Sequence, residues 1–417
     1  MKNETKLKWL KRWSTIRAIP LIPLALAMPR NRRKIVFGAW FGKTFSCNPK
    51  YLMDYFARRG GFKCIWIGGE HLRPEVEKIP NATFATQGSL IALWHMLTAR
   101  FYVYNVCWWT DLMRVPRCGR ATLIFTSHGV PTKFFGVKQF DGSGHPIGLR
   151  NGMGLAARIE KFMFGKEAWS SAASPMGRAI NLSSFVEALT EDRVINRGTP
   201  RFDYLIHNKD NADLKRSLKQ KYAELFGLPA DARWYLYMPT WRHNPKDNFS
   251  FITSSRKSEY QSFLERENGV LLELQHLITQ EQTWTKSSLD GRMCLVSRQQ
   301  QRVIDVQELV LACDCLITDF SSVYYDAYVA GRPVIHFAHD FERFMTKDMG
   351  FNYDIREFAG GPLAYDEDEL LQVLAKNDAE LLASHGPRIG EMLEFEKGDA
   401  CRGYYDLVSV LSEGRAK

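Results

Sequence analysis

No CxxC pair and no metal-ligand spacing occurs among the eight cysteines, at 47, 64, 107, 118, 294, 313, 315 and 401. A disulfide scaffold and a structural zinc site are therefore excluded as organising features. Free, mostly buried thiols in a reducing compartment are expected instead. There is no GxxxxGK[ST] loop and no GxGxxG after a strand, which sets aside NTPase, kinase and dinucleotide-oxidoreductase readings. HExxH and GxSxG are also missing and no acidic metal cluster is evident, so no metal and no cofactor is expected. The apolar run from Ile16 to Met28 is broken by Arg17, Pro20 and Pro23 and is too short to span a bilayer.

What remains is ordinary globular composition, 45% hydrophobic and 24% charged, over 417 residues. That length accommodates two or three lobes, each with its own core. The net charge of +10 is concentrated: residues 1–34 hold ten Lys/Arg and one acid, Glu4. The rest of the chain is nearly neutral, so the basic balance does not describe a nucleic-acid-binding surface, and no nucleic-acid partner is expected. Leu7, Leu10, Trp13 and Ile16 share one helical stripe among these cations. Such a stretch fits an amphipathic helix on an anionic membrane surface, with a basic helix packed on the protein as the plainer reading.

Two series of apolar, β-rich runs alternate with helical patterns. In the first half they are 34–40, 63–69, 100–106 and 121–127, with helical spacing over 49–59 and 88–99. In the second half they are 233–240, 270–276, 293–297, 314–319 and 333–338. Near-continuous apolar strands separated by helices predict parallel sheets covered on both faces. The expected fold class is thus α/β, with two Rossmann-like lobes facing a cleft. The expected division is a basic membrane-associating segment over 1–33, a first lobe over 34–208, a second over 209–390 and a C-terminal helix within 391–417. Residues 242–260 read as a long loop after a strand.

Five stretches place chemistry at strand ends. His128, Gly129 and Lys133 lie in Thr126-Ser127-His128-Gly129-Val130-Pro131-Thr132-Lys133, directly after a strand. A histidine there suits a general base or a structural loop histidine. Arg201 and Asp203 follow a Gly-Thr-Pro turn and can pair with each other or with a ligand. Thr240 and Arg242, in Met-Pro-Thr-Trp-Arg, can hold phosphate oxygens or simply end a strand. His276 ends Val-Leu-Leu-Glu-Leu-Gln-His in the second half. Thr318, Asp319, Ser321, Ser322 and Asp326 lie in LITDFSSVYYDA, a strand followed by a helix start. The two serines can cap that helix or bind a phosphate at its N-terminus, and these residues alone leave both open.

Taken in order, SHGVPTK, GTPRFD, MPTWR, LLELQH and LITDFSSVYYDAYVAGRPVIHF resemble the CDP-glycerol glycerophosphotransferase family, which makes teichoic-acid and capsule-type polymers. The resemblance spans about residues 34–375. Ser127 stands where the family often has Trp. It implies lobes of the glycosyltransferase-B type and transfer of a polyol phosphate from CDP-glycerol or CDP-ribitol to a lipid-linked or polymeric acceptor, with CMP released. It makes His128 the candidate base and His276 the second essential histidine, facing the donor phosphates. Thr240, Arg242, Thr318, Asp319, Ser321, Ser322 and Asp326 would lie near the donor, with Gly129, Lys133, Arg201 and Asp203 elsewhere in the cleft. It implies work at the cytoplasmic face of a bacterial membrane. A glycosyltransferase of the same fold using a nucleotide-sugar is the alternative.

Overall fold

The computed structural model describes residues 16–138, 155–186, 188–242, 247–276 and 288–414. The first sheet contains seven strands: β1 (Asn31–Phe37), β2 (Lys63–Gly68), β3 (Ala82–Thr86), β4 (Ala99–Tyr104), β5 (Thr122–Phe125), β6 (Ala168–Ser171) and β7 (Val194–Ile195). Their spatial order is β3-β2-β1-β4-β5-β6-β7 and every pairing is parallel. The second sheet holds β8 (Arg233–Tyr237), β9 (Gly269–Glu273), β10 (Ser288–Asp290), β11 (Met293–Leu295), β12 (Cys315–Thr318), β13 (Val334–Phe337) and β14 (Leu363–Ala364). Its order is β10-β11-β9-β8-β12-β13-β14, parallel except for the hairpin β10–β11. These are the two expected Rossmann-like sheets. Their central strands are apolar and buried on both faces, as parallel strands covered by helices must be.

Each sheet reverses its winding once, between β1 and β4 in the first and between β8 and β12 in the second. The crevice outside the carboxyl ends of those strands is where an open α/β sheet offers a ligand site. Every strand expected from the sequence is present. β3, β6, β7, β10 and β14 are additional; they are short or flank the centre, with too few apolar residues to stand out from their surroundings.

The stretch expected to be a long loop after β8 is better packed than that. Residues 247–256 are irregular, but Phe251 is fully buried, and Phe249 meets Phe337 edge-on at 4.7 Å. Helix Lys257–Arg266 begins inside the stretch.

Residues 1–15, which carry most of the expected basic stripe, lie outside the described residues. From Ile19 a short 3-10 turn leads into helix Ile22–Ala27, with a proline at the start of each. Among the described residues no helix is long and apolar enough to cross a membrane. At the other end, helix Ala400–Glu413 lies beside β1 and helix Cys47–Arg59. Cys401, Tyr404 and Val408 there join one core with Ile35, Phe37 and Phe56. All eight cysteines are free, and seven of them are buried.

Candidate functional site

The first-lobe wall of the cleft is built from the ends of β1, β4 and β5. His128 follows β5 through Ser127, which sits at φ 56. One side-chain amide and one backbone carbonyl fix this turn. Asn48, fully buried at the start of helix Cys47–Arg59, donates to Thr126 O at 2.8 Å and Ser127 O at 3.0 Å. Asn105, after β4, offers its carbonyl to His128 Nδ1 at 3.2 Å. With Nδ1–H donating there, Nε2 is the unprotonated nitrogen. His128 is open to solvent yet walled by surrounding protein, the position of a side chain on a cleft floor. That crowding disfavours its cation. The Asn105 carbonyl partly offsets it, and Arg201 and Lys133 add to it, so the pKa is lowered.

The next residues cross to the second lobe. A Cβ on Gly129 would lie 2.3 Å from Ser322 Oγ, so only glycine permits this approach. Asn352 N donates to Thr132 O at 2.9 Å, and Asn352 Nδ2 donates to Lys133 O at 2.7 Å. Tyr353 Oη donates to Thr132 Oγ1 at 3.1 Å. Lys133 then reaches Thr240 Oγ1 with its ammonium at 3.2 Å. Burial, helped by Arg242 and opposed by Asp319, lowers its pKa to about 8.

Asp319 organises the second-lobe wall. One carboxylate oxygen accepts the backbone N–H groups of Thr240 at 2.8 Å and Ser321 at 3.1 Å, and that of Phe320 as well. The other lies 2.8 Å from Arg242 Nη2. Burial opposes the Asp319 charge, but Arg242 and Lys133 outweigh it and lower the pKa. His336, fully buried in β13, backs this turn: its Nε2 accepts from Gly360 N at 3.0 Å, so its Nδ1–H donates to Asp319 O at 2.7 Å. His276 stands after β9. Burial first, then Lys133 and His128, pushes its pKa down to about 3, so it is a neutral imidazole at physiological pH. Behind it Glu273 is fully buried, accepting from Phe251 N at 3.0 Å and Gln275 Nε2 at 2.7 Å.

The structure thus brings His128, Gly129, Lys133, Thr240, Asp319, Ser321, Ser322 and His276 to one cleft. Four of the residues expected there have other partners. Asp326 and Arg201 form a bidentate pair at 2.6 and 2.9 Å, both almost fully buried, and Gln307 adds a third bond to Asp326. Asp203 accepts from Ala400 N and Cys401 N, capping the C-terminal helix. Thr318 is buried within the sheet and donates to Met238 O at 2.6 Å, stitching β12 to β8. Arg242 is a fifth correction. Its guanidinium bonds Asp340 at 2.7 and 2.8 Å and Thr240 O at 2.8 Å, so it shapes the turn and does not reach out to a phosphate. The capping reading of the serines is corrected too: Ser322 precedes helix Val323–Val329 with helical φ and ψ and no side-chain cap bond.

Asn48, Asn105, Asp111, Asp340 and His336 were not anticipated. Only their position at strand ends hinted at them. Among the described residues no group of three or more His, Cys, Asp or Glu is arranged to hold a metal ion.

Two Rossmann-like lobes meeting at paired switch points, with a basic and hydroxyl-rich cleft between them, define a protein of the glycosyltransferase-B type. The fold matches a solved structure of the wall teichoic acid polymerase TagF with a TM-score of 0.71 at 22% identity, over 97% of this chain and 98% of that one. The family profile for CDP-glycerol:poly(glycerophosphate) glycerophosphotransferase matches residues 21–409, and the chain belongs to that family. It is 27% identical over 391 residues to the teichoic acid poly(glycerol phosphate) polymerase of Bacillus subtilis, covering 91% of this chain and 49% of that protein. It is 27% identical over 360 residues to the polymerase of the same description from Bacillus spizizenii, covering 84% of each. The chain thus spans about half the length of the first relative and most of the second. These relatives favour a polyol-phosphate transferase over a nucleotide-sugar glycosyltransferase.

Proposed function

We propose that this chain transfers a polyol phosphate, glycerol phosphate first among them, from a CDP-activated donor to a hydroxyl of a lipid-linked or polymeric teichoic-acid-type acceptor. The observation that carries this reading is the meeting of His128, Lys133 and Ser322 where both sheets reverse, in a chain of this family. The acceptor hydroxyl attacks the β-phosphorus of the donor and CMP leaves. His128 takes the hydroxyl proton on Nε2, because Nδ1 is engaged by Asn105. Negative charge grows on the transferring and leaving phosphates, where positioned donors act most strongly. Lys133 supplies a cation. Ser321 and Ser322 supply hydroxyls that the helix does not use. His276, neutral, supplies an N–H and not a charge. Arg242 contributes at one remove, by neutralising Asp319.

Release of CMP from CDP-glycerol or CDP-ribitol in the presence of a lipid-linked acceptor tests the reading; no release with either donor would sink it. His128→Ala should cost about 10²–10⁴ in turnover while donor affinity persists. Chelation with EDTA should leave the rate unchanged, since Lys133 and the two serine hydroxyls offer the charge stabilisation a metal would otherwise supply.

The membrane reading rests on a second surface. Helix Ile22–Ala27 and helix Leu90–Thr98 seat their inner faces in one core. They expose Leu24, Leu26, Leu90, Ile91 and Trp94, with Leu90 at 83%. Cations stand beside them: the buried Lys34 places Nζ 5.8 Å from the Trp94 ring, and Arg30 donates to Ala99 O at 3.0 Å just after the second helix. An apolar face rimmed by Lys and Arg suits the headgroup boundary of an anionic leaflet, such as the cytoplasmic face of a bacterial membrane.

A further inference from the structure

The first sheet reverses between β1 and β4, and the turn after β1 is unusual. Trp40, Phe41 and Gly42 follow one another at φ 47, 61 and 73. Two bulky aromatic residues in the left-handed region are rare, and such strain persists only where surrounding contacts enforce it. Those contacts are visible here. Asp111, fully buried in the short helix after β4, accepts Phe41 N on Oδ1 at 3.0 Å. Its Oδ2 accepts the backbone N–H groups of Asn105, Val106 and Cys107 at 3.1, 2.8 and 3.2 Å. Asn105 Oδ1 in turn accepts Trp40 N at 3.1 Å. Packing leaves this arrangement little slack, for a Cβ on Gly38 would lie 2.4 Å from Asp111 O.

The held turn has two products, both beside His128. The Asn105 carbonyl meets His128 Nδ1, and the half-buried Trp40 indole stands 5.0 Å from the imidazole, centroid to centroid, at 57°. The indole is thus on the first-lobe side of the base, opposite the wall that carries Ser322 and Thr240.

We propose that Asp111 is a positioning residue for His128 and that the turn it anchors, with Trp40 as its platform, forms the subsite for the acceptor's terminal polyol unit. This rests on the reading of His128 as the base. An aromatic face beside a base suits the C–H surface of a polyol, whose hydroxyl is then directed at Nε2. Asp111 acts through backbone: it sets the Asn105 carbonyl that selects the tautomer, and it sets the peptide that carries the indole.

The test uses the full chain labelled with 15N-histidine, the His128 signals being assigned by their loss in His128→Gln. Wild-type protein should show Nδ1–H and an unprotonated Nε2. Asp111→Asn places an NH2 group among N–H donors, and should give mixed tautomers and a turnover lowered tenfold or more, with the KM for CDP-glycerol unchanged. Folded Asp111→Asn with the wild-type tautomer and turnover overturns the proposal. Where that variant does not fold, Trp40→Leu, which removes the aromatic face, decides: the KM for acceptor should rise several-fold with the donor KM unchanged, and an unchanged acceptor KM overturns it. Persistent turnover in His128→Ala would instead remove the base, while the tautomer measurement still reads the anchoring.

Discussion

Ser321 and Ser322 precede a helix without capping it: Ser322 makes no side-chain bond to the helix, and the N–H groups of Tyr324 and Tyr325 go to the backbone carbonyls of Ser321 and Ser322. Replacing both with alanine should therefore cost well under the roughly 1 kcal/mol of a lost cap. Calorimetry should find CDP-glycerol binding weakened at least several-fold in the same variant; a stability loss with intact affinity would return them to a purely structural role. His128 leads to a pH prediction. Its pKa lies below the ordinary 6.5, so the neutral base persists as pH falls past that value. The acid limb of kcat/KM should accordingly lie below pH 6.5 in the wild type, as a pH–rate profile would record. Histidines and hydroxyls after apolar strands were legible in the sequence because the carboxyl end of a parallel strand must open on the cleft. Asn48, Asn105 and Asp111 were not, because their partners are backbone groups brought near only by the fold.

Elements are joined here by buried charge as much as by apolar packing. Arg201, in helix Pro200–Asn208, pairs with Asp326 in the helix after β12. Burial works against the guanidinium, yet Asp326 holds it charged. Asp326→Ala leaves that cation buried and unpaired, which should cost about 3–5 kcal/mol in urea unfolding. A variant that keeps wild-type stability and loses only donor binding would restore Asp326 to the donor site. The strand pattern was legible because buried parallel strands are continuous apolar runs. Which acids face a ligand was not, since Asp203 and Asp326 read as motif residues whether they cap a helix, pair with arginine or meet substrate.

For the whole molecule, two sheets and a cleft followed from two alternating series of strands. The apolar face of Leu90, Ile91 and Trp94 did not, because those residues scan as an ordinary helix until the other face is seen to be the buried one. Ile91→Glu/Trp94→Glu should retain CMP release in detergent and lose sedimentation with vesicles rich in anionic lipid; undiminished sedimentation would move the contact elsewhere. The return of helix Ala400–Glu413 to the first lobe bears on synthesis. Cys401, Tyr404 and Val408 cover Ile35, Phe37 and Phe56, each buried side chain contributing roughly 1.5–3 kcal/mol. The lobe translated first is therefore the lobe finished last. While the ribosome makes the second sheet, an apolar strip of the nascent first sheet waits uncovered, open to chaperones, until the chain has grown past residue 413.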